Sequence, residues 1–169
     1  MRITGYKLQH TLRELHHRRD MAARQFDDSL FQFEDESKPT PEAAMKVYSD
    51  TEAQIAKLQT AQGRYNLGLT VEVLGESMTL AEAVKRVGGA GRMEKMWRSI
   101  AAPKKDCYGY DRDLTRSADE VRAKRVMEYG AAGDLAQKAS RFASALREAI
   151  QVANVTEVEM DELTPALFE

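Results

Sequence analysis

The sequence predicts a mainly α fold: a long antiparallel helical hairpin and a third long C-terminal helix, packed as a coiled-coil-like bundle with a small β-hairpin insertion. Along three long segments, apolar residues recur in alternating steps of three and four, the rhythm of helices that pack along narrow stripes. Two prolines separate the first two segments, and only one short stretch alternates like a β-strand. The 169 residues are predicted to form a single helical domain.

The first helix is predicted over residues 6–33. Arg19 and Ser29 occupy positions of its stripe without being apolar, and the apolar members of the stripe are Leu8, Leu12, Leu15, Ala22, Phe26 and Phe33. At about 1.5 Å per residue, this helix spans roughly 40 Å. A helix of that length with so narrow a stripe needs a partner helix of similar length.

The second helix is predicted over residues 41–65 and supplies that partner. Thr40 is its predicted cap and Pro41 its first residue, a preferred helix start. Its stripe consists of Ala44, Tyr48, Thr51, Ile55, Leu58 and Tyr65. Because the loop between the two helices is short, antiparallel packing buries both stripes.

The middle of the chain changes period. Residues 69–78 alternate around a turn at Gly75 and predict a β-hairpin. Thr79 and Glu82 form a capping box that starts a kinked helix over residues 80–101, which the run Gly88–Gly91 is expected to interrupt. Pro103 ends that helix, and an irregular segment follows.

The C-terminal third contains an ambiguous segment, a helix and a tail. Residues 120–128 are read either as an edge strand that joins the 69–78 hairpin or as a helical extension, with strand favoured. A helix is predicted over residues 133–153, with a stripe of Leu135, Ala139, Phe142, Leu146, Ala149 and Ala153. The acidic tail, residues 155–169, is expected either to dock on a neighbour or to fray.

Composition excludes several classes of protein. The net charge of −2 argues against a general nucleic-acid-binding protein. Cys107 is the only cysteine, so no internal disulfide is possible. Neither a membrane span nor a signal peptide is evident, so a cytoplasmic protein without a membrane partner is expected. The three stripes and the opposed charge blocks of the N-terminal third favour homo-oligomerisation, although the blocks also suit solvated helix faces.

The order of short motifs over the last two thirds of the chain resembles the uncharacterised DIP1984-like helical family of bacteria. The motifs are Arg64-Tyr65-Asn66, Gly75, Thr79-Leu80-Ala81-Glu82-Ala83, Arg86, Tyr110-Asp111 and Ile150-Gln151-Val152-Ala153-Asn154. The chain departs from the family pattern at Gly88–Gly91 and in its longer acidic tail. The resemblance implies an all-helical oligomer and no particular activity.

Catalytic and metal-binding patterns are weak. Cys107 has no histidine near it in sequence, and the spacing of His10, His16 and His17 does not suit one ion. Asp106, Asp111 and Asp113 lack the spacing of a calcium loop, although a divalent ion there would allow phosphate chemistry. The sequence therefore predicts a protein that is not an enzyme and has no cofactor and no metal site.

A cluster of cations and aromatic rings is the stronger signal. Residues 85–116 contain nine basic and four acidic residues, interleaved with Trp97, Tyr108 and Tyr110. Arginine forks grip phosphate oxygens and rings stack on bases, so the cluster suits a nucleotide-like anion. The predicted ligand-binding residues are Arg92, Trp97, Arg98, Lys104, Lys105, Tyr108, Tyr110 and Arg112. The alternative is that Trp97 packs in the core and the cations pair with a neighbour's acidic tail.

Two functions follow from these alternatives. The first is a non-enzymatic homo-oligomer that captures a small anionic ligand; by analogy with phage anti-defence sponges, the ligand would be a nucleotide immune signal. The second is a structural or interaction protein that assembles through coiled-coil helices and has no small-molecule ligand.

Overall fold

The structure, a computed structural model, is mainly helical. It describes residues 1–31, 33, 36–102, 115–116, 121–122, 126–161 and 163–168, with only the backbone of 115–116 and 121–122. Within this part of the chain four α-helices occur: α1 (Gly5–Ser29), α2 (Pro41–Gly68), α3 (Leu80–Ala101) and α4 (Tyr129–Asn154). A 3-10 turn at Pro165–Leu167 lies near the C-terminus.

Among the described residues, six short strands pair into three two-stranded sheets. The strands are β1 (Arg2–Ile3), β2 (Thr70–Val73), β3 (Glu76–Thr79), β4 (Thr115–Arg116), β5 (Val121–Arg122) and β6 (Val158–Glu159). The pairs are β1 with β6, β2 with β3 and β4 with β5. The first and third pairs are antiparallel.

The described chain forms two compact units. The first contains residues 1–71, 79–81 and 150–169, and the second contains residues 72–78 and 82–149. The single-domain prediction stays a prediction.

In the first unit, α1 and α2 pack against each other along the predicted stripes. Leu8, Leu12, Leu15 and Ala22 of α1 are buried, as are Ala44, Thr51, Ile55, Leu58 and Tyr65 of α2. Arg19 lies on the stripe and reaches across to α2, where its Nη1 is 3.4 Å from Oε1 of Glu52. The polar stripe position thus forms an ion pair between the two helices.

The helix caps follow local chemistry. The Thr40 hydroxyl accepts from the Ala43 amide at 3.2 Å and Pro41 is the first helical residue, which confirms the predicted start of α2. Thr4 caps α1 in the same way through the Lys7 amide, although the sequence prediction did not identify it.

The first helix ends earlier than predicted. It stops at Ser29, whose hydroxyl donates to the Phe26 carbonyl at 2.7 Å, and Leu30, Phe31 and Phe33 are not helical. Asp27 and Asp28 lie in the last turn, where negative charge opposes the helix dipole, and no basic residue compensates. Phe33, predicted as a stripe residue, is 75% exposed.

The predicted β-hairpin is present as β2 and β3. Leu74 and Gly75 form its turn, and both have positive φ, 51° and 85°. This is the conformation of the tight two-residue turns that match the twist of paired strands. The Leu80 amide donates to the Leu69 carbonyl at 2.8 Å, where α3 begins directly after the predicted cap residue Thr79.

Helix α3 differs from the prediction. It is one continuous helix through Gly88–Gly91 instead of two pieces with an interruption. Glycine in a helix costs only about 0.5–1 kcal/mol relative to alanine. Burial along one side of the helix offsets that cost. The buried and half-buried residues of this side recur in steps of three and four: Leu80, Ala83, Val87, Ala90, Glu94, Trp97 and Ala101.

Other helix boundaries also differ from the prediction. α2 continues to Gly68, and α4 begins at Tyr129, four residues before the predicted start. Of the α4 stripe, Leu146 and Ala153 are buried, and Ala132, Ala136 and Ala143 join them. Within 120–128, Val121–Arg122 forms a strand that pairs with β4. The predicted pairing of this strand with the 69–78 hairpin is wrong, because among the described residues β2 and β3 pair only with each other.

The tail contains an ordered connection that the sequence prediction missed. Ile3 pairs with Val158, and the Met1 amino group donates to the Met160 carbonyl at 2.8 Å. Met160 and Leu163 are buried. The tail therefore docks on the N-terminus of its own chain.

Candidate ligand-binding surface

The exposed side of α3 carries a row of cations. The row consists of three cations and one glycine. Its members follow one another in steps of three, four and three residues, so they lie along one face of the helix: Lys85, Gly88, Arg92 and Lys95. All four are exposed. The row, called here the cation stripe, extends over about 15 Å of the helix axis.

The other charges of α3 are engaged elsewhere. The helix contains five basic residues and two carboxylates, those of Glu82 and Glu94. Arg86 Nε is 3.0 Å from Glu82, and Arg98 Nη2 is 2.6 Å from Glu94. The two carboxylates thus pair with arginines outside the cation stripe.

The three cations of the stripe form no ion pair with a carboxylate in the described ranges. No described carboxylate therefore neutralises the positive charge of the stripe. Because all three are exposed, that charge is available to an anion from solvent.

Arg86 is a structural residue of the second unit. Its Nη1 lies 2.6 Å from Glu76 Oε1 on β3, in addition to the contact with Glu82. The hydrogen bond that this guanidinium donates to the Glu76 carboxylate raises the pKa of Arg86, so Arg86 stays charged and joins α3 to the hairpin strand.

Two guanidinium groups approach the glycine run. A Cβ built on Gly88 would be 3.5 Å from Nη1 of Arg92, and one built on Gly91 would be 3.9 Å from Nη2 of Arg147 on α4. The guanidinium of Arg92 thus lies against Gly88, and that of Arg147 lies beside Gly91. Side-chain-free backbone allows a flat or bulky anion to approach closely, and guanidinium groups bind phosphate oxygens in a bidentate manner.

The structure separates the predicted site residues that it describes. Arg92 belongs to the cation stripe. Trp97 is half-buried on the inward stripe of α3, and five residues of helix turn it about 140° away from Arg92. The guanidinium of Arg98 forms an ion pair with Glu94. Lys104, Lys105, Tyr108, Tyr110 and Arg112 lie outside the described residues, as do Cys107, Asp106, Asp111 and Asp113.

Sequence reasoning missed Arg147. No periodicity or motif links this residue of α4 to the glycines of α3; only the packing within the second unit does. Lys85 and Lys95 were visible as part of the basic cluster, but recognising them as one face required α3 to be continuous.

The described ranges contain neither a cluster of metal ligands nor a helix that could span a membrane. No three His, Cys, Asp or Glu residues there are placed to hold a metal ion. His10 pairs with Glu14 of its own helix at 3.1 Å. No described helix combines the length and apolar character needed to cross a membrane.

Two motifs that carry the family resemblance meet in the first unit. Tyr65 is fully buried, and its hydroxyl is 2.7 Å from the Ala153 carbonyl and 2.8 Å from that of Thr156. A Cβ on Gly5 would collide with the amide of Asn154 and lie 2.9 Å from the Tyr65 ring. This junction ties α1, α2 and the end of α4 together, so its residues have a structural role.

Comparison with protein-family models, with curated proteins and with solved structures finds no match to this chain.

Proposed function

We propose that this protein binds a small anionic ligand of the nucleotide type on the cation stripe of α3, and that it holds the ligand without converting it. One observation supports this most: both carboxylates of α3 pair with arginines outside the stripe, which leaves Lys85, Arg92 and Lys95 charged on one exposed face.

The glycines give this surface its shape. Gly88 lies between the cations, and because it has no side chain, the Arg92 guanidinium lies close to the helix backbone, where a phosphate could contact it. The guanidinium groups near Gly88 and Gly91 would hold the phosphate oxygens. Only cations and bare backbone form the stripe, and neither a nucleophile nor a general base stands on it. Such a surface suits capture, including sequestration of nucleotide immune signals.

The same proposal includes assembly. We infer a cytoplasmic homo-oligomer in which the helices form a coiled-coil-like bundle around the antiparallel α1–α2 hairpin. Exposed apolar side chains on α3, at Val84, Met93 and Met96, flank the cation stripe. In an oligomer they would shield the bound anion from water and strengthen its contacts with the cations.

Isothermal titration calorimetry with linear and cyclic nucleotides tests the ligand. Arg92→Gln is expected to weaken binding about tenfold, the typical effect of losing one charge-assisted hydrogen bond. Arg98→Gln removes the same charge from the same helix and is the matched control; it should change affinity less than about twofold, because Glu94 already occupies that guanidinium. Absence of heat with every nucleotide, or equal effects of the two variants, contradicts the proposal.

A second candidate is an assembly protein without a small-molecule ligand. It is favoured by the loop after α1, where Leu30, Phe31 and Phe33 are 52%, 84% and 75% exposed and Met45 lies near the start of α2. Exposed aromatic residues in such a cluster are typical of protein contacts. Replacing Phe31 and Phe33 together by serine should then lower the mass measured by light scattering, whereas Arg92→Gln should leave the mass unchanged.

A further inference from the structure

A second surface lies in the other unit, away from the cation stripe in sequence. The groove between α2 and the C-terminal turn has a volume of about 470 Å³ and is lined by Ala56, Lys57, Thr60, Leu163, Thr164 and Leu167. This volume falls within the range of small-molecule sites, about 300–1,000 Å³. Ala56, Leu163 and Leu167 provide its apolar surface.

The wall formed by the tail is held in place at both ends. Leu163 is 4% exposed, which fixes the start of the wall. At the other end the Lys7 ammonium lies 5.8 Å from the ring centroid of Phe168, within the range of a cation–π contact. The Leu167 amide donates to the Thr164 carbonyl at 3.1 Å between them. The groove is therefore built before any ligand arrives.

The polar groups of the groove are not equivalent. The Thr60 hydroxyl donates its proton to the Ala56 carbonyl at 2.9 Å, so it has none left for a ligand. The Thr164 hydroxyl forms no capping hydrogen bond within its turn, and both it and Lys57 are exposed. None of the six lining side chains is acidic. Among the described lining residues, the available donors are thus the Lys57 ammonium and the Thr164 hydroxyl, which lie beside the apolar side chains.

We propose that this groove binds an anionic amphiphile, an alkyl chain that ends in a carboxylate. The chain would lie on Leu163, Leu167 and Ala56, and the carboxylate would accept from Lys57 and Thr164. An alcohol of the same chain length would keep the apolar contact and lose the charge-assisted one.

Decanoate and decan-1-ol, titrated below micelle-forming concentrations into the ¹⁵N-labelled full chain, test this. Saturable shifts at the amides of the groove give the two dissociation constants. Lys57→Gln and Thr164→Val should each weaken decanoate about three- to tenfold, the range for a charge-assisted contact at an exposed site, and leave decan-1-ol unchanged. Thr60→Val is the matched control and should change neither ligand.

A filling variant completes the design. Ala56 is exposed, so Ala56→Trp should be tolerated, as circular dichroism would verify, and should abolish binding of both ligands. Equal affinity for acid and alcohol in the unmodified protein overturns the proposal. So does an equal effect of Thr60→Val and Thr164→Val, or shifts confined to α3. Since Arg92→Gln leaves this groove intact, failure here and failure at the cation stripe are distinguished.

Discussion

The Tyr65 hydroxyl is the polar centre of the first unit, and Tyr65→Phe removes it alone. The side chain is 0% exposed, so the ring and its packing stay in the variant. The hydroxyl donates to a carbonyl at the end of α4, with those of Ala153 and Thr156 both within 2.8 Å.

The magnitude follows from the loss of this one donor. A donated hydrogen bond contributes about 0.5–1.5 kcal/mol net to stability. The variant also leaves a buried carbonyl acceptor without that donor, which raises the cost to about 1–3 kcal/mol. We therefore expect Tyr65→Phe to lower the free energy of unfolding by about 2 kcal/mol. For a chain of this length, that corresponds to a fall in Tm of about 4–8 °C.

Urea unfolding followed by circular dichroism measures this change, with Tyr48→Phe as the matched control. Tyr48 lies on the same helix and is half-buried, and its hydroxyl forms no hydrogen bond with a described residue. Tyr48→Phe should lower the free energy of unfolding by less than about 0.5 kcal/mol. If the two variants differ by less than that, the junction at Tyr65 does not hold the unit together as inferred. A changed slope of the unfolding free energy against urea concentration would instead indicate an altered unfolded state.

Three further outcomes are expected from the same unit. Gly5→Ala should destabilise it by about 1–3 kcal/mol, since the new methyl group would collide with Asn154. Gly63→Ala should instead stabilise α2 by about 0.5–1 kcal/mol, because no atom lies within 4 Å of the new methyl group. Thermal unfolding should therefore show a lower Tm for the first variant and a higher Tm for the second. Thr40→Ala should cost about 1 kcal/mol in urea unfolding and Thr40→Ser much less, because serine keeps the capping hydroxyl. Burial raises the pKa of Tyr65 above its ordinary value of 10.0, so its contribution is complete below pH 10 and is lost as pH rises through the folded pKa. The unmodified protein should therefore lose stability above pH 10 more steeply than Tyr65→Phe, by up to about 1.4 kcal/mol per pH unit in pH-jump unfolding curves; parallel curves would contradict the assigned burial.

Much of the helical architecture was predictable because its causes are local. The stripe from Leu8 to Ala22 and the stripe from Ala44 to Tyr65 are visible as three- and four-residue steps, and burial follows those steps. Thr40 with Pro41 marks a helix start by chemistry that needs only neighbouring residues. The Leu74–Gly75 turn is equally local.

The errors occurred where tertiary packing outweighs local preference. The run Gly88–Gly91 predicts an interrupted helix, but burial along the inward side of α3 offsets the modest cost of helical glycine. The first helix was extended to Phe33 because aromatic residues continued the rhythm, whereas Asp27 and Asp28 end it sooner. For the candidate site, Arg92 was identified from sequence, but its relation to Lys85, Lys95 and Arg147 was not.

The sequence by itself determined that this protein is mainly helical, where most of its helices start, and that its cations cluster in the middle of the chain. Only the tertiary structure decided that Ile3 pairs with Val158 and that Tyr65 packs against Gly5 and hydrogen-bonds the end of α4. It also decided that α3 presents, on one face, three cations that form no ion pair with a described carboxylate. Periodicity and capping act within a few residues and are written into the local sequence. Pairings between distant segments depend on which surfaces remain after the helices pack, and no short motif records that outcome.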